Sequence, residues 1–361
     1  MKKLYLLKLM NREFKVNRSV SMQDIADKLG ISKGSVSLAL NDSKKISEET
    51  KQKVREIAIS LGYKRNALVS SVMAGLKGSK TNQFLETIVL INANKAEDAP
   101  TKYPIFSKYI DGIKDEAKIL GYAIYDVWLH DKRLNPSKLQ RILESRGIRG
   151  GIIIGHVDDN ILPDKFAPIW QNFKFVSAGL KTFNPILDFI SADKFLIAHY
   201  ATKKIVERGY KRPALILASH IDELVEGRFI GGFLRAQLDL PEEDRIPPFV
   251  DVELADKSPK ILYDWLKARK PDVIFSISNS TSEWFRERAT AIPQDLPVIH
   301  LERKFGKNEW IGIDQNYEMV GRIAVRKLFT ALNAPVYLKD ADVRTATIVL
   351  PKWNDPVSTK K

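Results

Sequence analysis

The chain of 361 residues contains no cysteine, which excludes disulfide bonds and thiolate metal sites. Its five histidines lie at positions 130, 156, 199, 220 and 300, and no two are three or four residues apart, so we expect no zinc site and no other metal. Neither of the glycine-rich phosphate-binding motifs, G-x-G-x-x-G and G-x-x-x-x-G-K-[ST], is present. These absences predict a protein that has no cofactor and is not an enzyme.

Long apolar runs are also missing. No stretch approaches the roughly 18 apolar residues that a membrane span needs. Residues 1–10 resemble the start of a signal peptide, but Lys8 interrupts the apolar run and no small-residue cleavage site follows. We interpret residues 1–17 as a basic N-terminal arm and expect a soluble, cytoplasmic protein.

Positive charge is concentrated near the N-terminus. Residues 1–80 hold 17 Lys and Arg against 7 Asp and Glu, whereas the rest of the chain holds 41 against 37. A basic segment on a nearly neutral body is typical of a module that binds a polyanion. Solubility or attraction to an anionic membrane are alternatives, so the local sequence pattern has to decide.

That local pattern is a helix-turn-helix. Ala26, Gly30 and Val36 lie at offsets 0, +4 and +10, which supplies a small residue at the helix crossing, a glycine for the turn and an apolar residue that fixes the second helix. Ser32 precedes the second helix as its N-cap. The outward-facing residues are Lys33, Gly34, Ser35, Ser37 and Leu38. This end of the helix would enter a DNA major groove; the alternative is an ordinary helix pair in a bundle.

A third helix and a linker follow. Ser47 caps the third helix, and the apolar residues of its inward face are Val54, Ile57, Ala58 and Leu61. Residues 66–75 form a short helix candidate, and residues 77–82 are typical of a linker. We therefore expect a helix-turn-helix domain over 18–64, a hinge helix and linker over 65–82, and a body over 83–361.

In the body, short apolar runs alternate with amphipathic helical stretches. This order predicts parallel sheets with right-handed crossovers, hence a doubly wound α/β architecture. The strand candidates are 87–91, 122–128, 151–154, 173–177, 214–218, 273–277 and 298–301. The helix candidates are 106–120, 136–146, 195–208, 231–238, 261–268 and 282–289. The acidic pairs at 158–159 and 242–243 are interpreted as solvated turns, so binding is the prediction rather than catalysis.

These residues resemble the lactose-repressor (LacI/GalR) family of transcription regulators. The resemblance is gapless over residues 21–72 and continues more loosely over nearly the whole chain. Its most specific markers are D-I-A at 24–26, G-I-S at 30–32, V-S at 36–37, S-E-E-T at 47–50 and L-G-Y at 61–63. The resemblance implies a homodimer that binds a pseudo-palindromic DNA operator, as a repressor. The body would resemble a periplasmic binding protein, with two lobes and a small-molecule cleft between them.

The resemblance also implies DNA contacts, residue by residue. Phosphate contacts are implied for Ser21, Gln23, Ser32, Ser35, Ser37, Asn41, Lys45 and Ser47, whose hydroxyls, amides and helix N-termini suit this role. Base-reading positions are matched by Lys33, Gly34 and Leu38. Many members carry Arg at the last of these, and leucine can only contact a thymine methyl or pack within the domain.

The predicted hinge departs from the family pattern. Asn66 matches, but Arg65 replaces the usual proline, and Val72 replaces the leucine that wedges into the central minor-groove step. Because valine is shorter, we expect either a weaker kink or insertion of the neighbouring Met73.

The ligand cleft implied by the resemblance is lined by Phe106, Asp193, Arg228, Asn279 and Ser280. Phe106 would stack on a sugar or base ring, with a core position as the alternative. Lys194 replaces the usual asparagine after Asp193, Arg228 is one residue out of register, and Asn279-Ser280 replaces an Asn-Asp pair. These losses of acceptors favour a non-standard effector over a typical sugar, and an anion or a vestigial cleft stays open.

We therefore predict a sequence-specific transcription regulator, modulated by a small molecule such as a sugar or related metabolite. Two other classes stay open. The first is a soluble α/β binding protein or enzyme with an incidental helical N-terminus, which would lack DNA affinity. The second is an architectural DNA binder with a vestigial sensor, which would bind DNA without a ligand response.

Overall fold

The structure is a computed structural model, and it describes residues 20–40, 46–61, 86–156, 160–277, 296–302, 311–333 and 343–355. Contacts divide the chain into two units, residues 1–80 and 81–361. The finer division into arm, helix-turn-helix domain, hinge and body stays a prediction. The arm, the hinge and the helix expected at 282–289 lie outside the described residues.

Among its described residues, the first unit has three helices, α1 (Met22–Leu29), α2 (Lys33–Leu40) and α3 (Glu48–Ser60). They surround a small apolar core of Ile25, Ala26, Val36, Ala39, Val54 and Ala58. The predicted roles of Ala26 and Val36 are thus confirmed. Gly30 adopts φ +63° at the C-terminus of α1, a left-handed conformation that glycine adopts without strain.

The second unit begins with parallel β-α-β alternation. Its strands are β1 (Glu86–Asn92), β2 (Tyr122–Trp128), β3 (Gly150–Ile154), β4 (Lys174–Ala178), β5 (Asp188–Ala192), β6 (Pro213–Ile216), β7 (Val273–Ser276), β8 (Val298–His300), β9 (Gly312–Asp314), β10 (Ala346–Val349) and β11 (Lys352–Asn354). Its α-helices are α4 (Ala99–Lys102), α5 (Pro104–Ile119), α6 (Pro136–Ser145), α7 (Ala167–Asn172), α8 (Lys194–Val206), α9 (Ser219–Glu223), α10 (Arg228–Gln237), α11 (Val252–Lys257), α12 (Lys260–Arg269) and α13 (Tyr317–Asn333).

The strands form two sheets, which define two lobes of the second unit. Lobe 1 has the order β10-β5-β4-β3-β1-β2, with every pair parallel. Lobe 2 has the order β11-β9-β8-β7-β6, and only β11 runs antiparallel to its neighbour. Alternate residues of β1 enter separate cores on the two faces of its sheet, Ile88 and Leu90 on one side and Val89 and Ile91 on the other. The predicted doubly wound α/β class is confirmed.

The chain crosses between the lobes at three places: after β5, after β9 and after β10. Hydrogen bonds join the three crossings to one another. The Asp193 N–H donates to the Val349 carbonyl over 3.1 Å, and Asn316 Nδ2 donates to the Leu350 carbonyl over 2.8 Å. Among the described helices, none has both the length and the apolar character to cross a membrane.

Candidate nucleic-acid interface and ligand cleft

The N-terminus of α1 is fixed by a reciprocal cap. The Ser21 backbone N–H donates to Asp24 Oδ2 over 2.6 Å, and the Ser21 hydroxyl accepts from the Asp24 N–H over 3.4 Å. The backbone N–H groups of Ser21 and Asp24, which have no acceptor within the helix, thus each donate a hydrogen bond to a side chain. Gln23 beside the cap is exposed, and its amide donates to Asp27 Oδ1 over 2.7 Å.

A second cap begins α2, the predicted recognition helix. The Ser32 hydroxyl accepts from the Ser35 N–H over 2.9 Å and lies 2.9 Å from the Ser35 hydroxyl. The cap confirms that Ser32 precedes this helix. Because the N-terminal end of a helix carries partial positive charge and unsatisfied N–H groups, it is suited to a phosphate.

The outer face of α2 is short and polar. Lys33 and Gly34 are exposed, and Ser35 and Ser37 are half-buried. A Cβ added to Gly34 would meet only the Ser32 hydroxyl, at 3.5 Å, so packing within the unit does not require glycine there. Leu38 is 39% exposed, which leaves its methyl groups accessible from outside the unit.

The start of α3 repeats the serine cap. The Ser47 hydroxyl accepts from the Thr50 N–H over 3.3 Å and lies 2.9 Å from the Thr50 hydroxyl. Ser47 is exposed. The other predicted DNA-contacting residues, Asn41, Lys45, Asn66, Val72 and Met73, lie outside the described residues.

In the second unit, two of the predicted cleft residues are in contact. Asp193 follows β5 directly and caps α8, because its Oδ1 accepts from the Leu196 N–H over 3.1 Å. The same oxygen lies 3.2 Å from Arg228 Nη2, at the first residue of α10. One residue thus joins the carboxyl end of a lobe 1 strand to two helices of lobe 2. Ligands in α/β folds bind at the carboxyl ends of strands.

Lys194 is buried beside this pair. Its Nζ donates to Gln315 Oε1 over 2.5 Å and lies 5.8 Å from the Phe229 ring centroid. Burial lowers the pKa of Lys194 to about 8, although the charges of Glu302 and Asp193 oppose that shift. The departure from asparagine that the sequence shows here therefore places a buried amine at the crossing between the lobes.

Lys194 belongs to a larger buried polar cluster. Burial raises the pKa of Glu302, and a hydrogen bond from Tyr317 together with the charge of Lys194 opposes the shift. Burial also raises the pKa of Tyr317, whose ring meets Tyr109 edge to face at 5.4 Å between centroids. Gln315, Glu302 and Tyr317 were absent from the predicted site. Gln315 could have been found, because it ends the G-I-D-Q sequence at 312–315 that echoes the family pattern.

The remaining predicted cleft residues are Phe106, Asn279 and Ser280. Phe106 is 6% exposed, belongs to a core cluster of lobe 1 and meets Tyr103 edge to face. Its burial agrees with the alternative of a core aromatic, and its ligand role stays a prediction. Asn279 and Ser280 lie outside the described residues. In the described part of the chain, no three His, Asp or Glu side chains gather where a metal ion could bind.

Comparisons with known proteins agree with both units. The family model "Bacterial regulatory proteins, lacI family" matches residues 21–66. The HTH-type transcriptional regulator MalR of Streptococcus pneumoniae is 23% identical over 318 residues, which cover 87% of this chain and 93% of MalR.

Two solved structures share the fold. A complex of the transcriptional regulator CelR with cellobiose superposes with a TM-score of 0.54 at 16% identity, over 93% of this chain and 98% of CelR. The lac repressor dimer bound to operator and the anti-inducer ONPF gives a TM-score of 0.52 at 16% identity, over the same shares of the two chains. Residues 21–66 thus match the lacI family of bacterial regulatory proteins, and the chain as a whole is similar to regulators of that family in sequence and in its two-lobed parallel body.

Proposed function

We propose that the chain is a transcriptional repressor that binds a pseudo-palindromic operator as a homodimer and responds to a small molecule bound between its lobes. One observation carries the proposal: α2 presents an exposed, polar N-terminal face on a three-helix core. That face belongs to a segment with 17 basic against 7 acidic residues. The chain acts by binding rather than catalysis, in the cytoplasm where the chromosome lies.

The serine caps support separate roles for the residues that contact phosphates and those that read bases. Ser21, Ser32 and Ser47 fix three helix N-termini, and such termini suit phosphates, which position a protein without reading sequence. Lys33 extends from the first turn of α2 and would read a base edge, with Leu38 against a thymine methyl. The absent side chain at Gly34 would let the helix backbone approach the DNA closely.

The effector is a sugar or a related metabolite. CelR was solved with cellobiose, and the Asp193–Arg228 pair supplies a carboxylate and a guanidinium where a polyhydroxyl ligand would bind. Lys194 places a buried amine, which can only donate, where an asparagine would also offer an acceptor, in agreement with a non-standard effector.

Genomic fragments retained by the purified protein would supply the operator, and affinity should then be measured against salt. A dimer with about 6–10 phosphate contacts should lose roughly 10³–10⁵ in affinity between 50 and 200 mM salt. A truncated chain of residues 82–361 should bind no DNA. Equal binding by the truncated and full chains would contradict the assignment, and equal affinity for all fragments would favour an architectural DNA binder.

A second measurement separates base reading from phosphate contact. Lys33→Ala should relax the preference at one position of each half-site and cost roughly 1–3 kcal/mol on the operator. Ser35→Ala is the matched control and should weaken all sequences about equally. An unchanged sequence profile in Lys33→Ala would remove that residue from base reading.

A further inference from the structure

We infer that lobe 1 and lobe 2 are held together by an interlobe latch, and that this latch couples lobe closure to the position of Arg228. The interlobe latch consists of Asn160, Leu180 and Lys181 on one side and Leu224 and Glu226 on the other. The inference rests on the proposed function in one respect, namely that Arg228 contributes to the effector site.

The topology assigns the two sides to different lobes. Asn160 lies between β3 and β4, and Lys181 lies between β4 and β5, so both belong to loops of the lobe 1 sheet. Leu224 and Glu226 lie between β6 and β7 of the lobe 2 sheet. Any contact between these segments therefore crosses the boundary at which the lobes would separate.

Three contacts of different kinds cross that boundary. Lys181 Nζ lies 2.7 Å from Glu226 Oε1. Asn160 is fully buried, and its Nδ2 donates to the Leu224 carbonyl over 2.8 Å. Leu180 packs against the lobe 2 core cluster, which includes Val225. Charge, a buried hydrogen bond and apolar contact thus act at one place.

The lobe 1 side is held rigidly by its own sheet. The Leu180 carbonyl accepts from the Ser177 hydroxyl over 2.5 Å, and His156 Nε2 lies 3.2 Å from the same carbonyl. The Gly179 N–H donates to the Ile190 carbonyl over 2.8 Å. The β4–β5 loop therefore presents Leu180 and Lys181 in one fixed place.

The lobe 2 side is a tight turn that ends at Arg228. Glu226 has φ +57° and Gly227 φ +76°, and the left-handed conformation is unfavourable for a residue with a Cβ. The residue at position 226 is nevertheless a glutamate, and its carboxylate contacts Lys181. The Gly227 N–H donates to the Asp222 carbonyl over 2.9 Å, and the Phe229 N–H donates to Asp222 Oδ1 over 2.9 Å.

This turn transmits the latch to the expected effector site. Only Gly227 separates Glu226 from Arg228, and the Arg228 guanidinium contacts Asp193. When the lobes separate, Lys181 leaves Glu226, the strained turn loses its external support, and Arg228 is released from a fixed position. An effector that fixes Arg228 would in turn favour the closed arrangement, because such coupling is reciprocal.

Hydrogen exchange of the full chain, without DNA or effector, tests the latch. Lys181→Glu and Glu226→Lys each place like charges together, whereas the double variant restores an opposite pair. Each single variant should raise exchange in residues 222–230 by roughly two- to five-fold, the range of an exposed ion pair, and the double variant should return to the wild-type rate. The control is Lys260→Glu, which disrupts an ion pair of 2.6 Å within α12 alone and should leave these residues unchanged.

Two further readouts complete the test. Asn160→Asp keeps the side-chain shape and replaces the donor with an acceptor, so it should raise exchange on both sides of the latch. The Leu196 amide, which Asp193 caps, reports on Arg228 and should exchange faster in Lys181→Glu. Unchanged exchange at 222–230 in both single variants, or no recovery in the double variant, overturns the latch; an unchanged Leu196 overturns its coupling to Arg228. If the wild-type chain bound no DNA specifically, the proposed function would be overturned, and the exchange results would be unaffected.

Discussion

Two adjacent glycines in α10 should respond in opposite directions to the same substitution. A Cβ added to Gly232 would lie 2.1 Å from the Phe195 carbonyl oxygen of α8, whereas a Cβ added to Gly231 would come no closer than 3.9 Å, to the Phe195 ring. Replacing a helical glycine by alanine stabilises a helix by about 0.5–1 kcal/mol. Gly231→Ala should therefore raise the free energy of unfolding by about that amount.

Gly232→Ala gains the same helix propensity but forces two backbones apart. Overpacking of this kind costs roughly 1–3 kcal/mol, and more where backbone rather than a side chain must move. The free energies of unfolding of the two variants should therefore differ by at least about 1–2 kcal/mol, with Gly232→Ala the less stable.

Urea unfolding followed by tryptophan fluorescence is the suitable assay. All six tryptophans lie beyond residue 80, so their emission reports on the second unit. The midpoint should move up in Gly231→Ala and down in Gly232→Ala at an unchanged slope. Equal midpoints for the two variants would refute the close approach of α8 and α10.

Three other substitutions test the caps, the recognition helix and the buried amine. Ser21→Ala should lower the unfolding temperature of the first unit through a loss of about 1 kcal/mol, and calorimetry that finds this transition unmoved would rule out the reciprocal cap. Gly34→Ala should stabilise α2 by about 0.5–1 kcal/mol and still weaken operator binding; full affinity in a binding titration would remove residue 34 from the interface. Lys194→Gln tests the pKa of Lys194, which burial lowers to about 8. Between about pH 8 and 10.5 the folded wild type binds fewer protons than the unfolded wild type, so its free energy of unfolding should rise with pH. Relative to Lys194→Gln, this gain should be on the order of 3 kcal/mol. Parallel stability–pH curves for the two proteins would count against a depressed pKa.

The sequence predicted those elements whose signals are local. The caps at Ser32 and Ser47, the glycine turn and the apolar faces of the first unit are all encoded within about four residues of one another, so these could be placed correctly, whereas the cap at Ser21 was not predicted. The seven predicted strands match observed strands to within two residues at each end. Apolar residues dominate these strands, and the buried runs of β1, β3, β6 and β7 are typical of a parallel sheet covered on both faces.

The elements that were not predicted depend on distant partners. β5 contains Asp188 and Ser191, and β10 is largely exposed at the edge of its sheet, so neither is a continuous apolar run. The helix α13 is buried against α5, where a Cβ on Gly321 would lie 2.2 Å from the Tyr109 carbonyl. In the ligand cleft, Asp193 and Arg228 were predicted together, whereas the cluster around Lys194 required knowledge of how the crossings meet.

The three crossings also determine when the protein can become complete during synthesis. Lobe 1 takes β1 to β5 from the first half of the body but receives α13 and β10 only after β6 to β9 of lobe 2 have been made. The described helices of the first unit end at residue 60, and β10 ends at residue 349. At about 5–20 residues per second, the ribosome needs roughly 15–60 s to cover that interval. In a nascent chain, the three described helices of the DNA-binding unit are therefore synthesised many seconds before the body that would bind a ligand is complete.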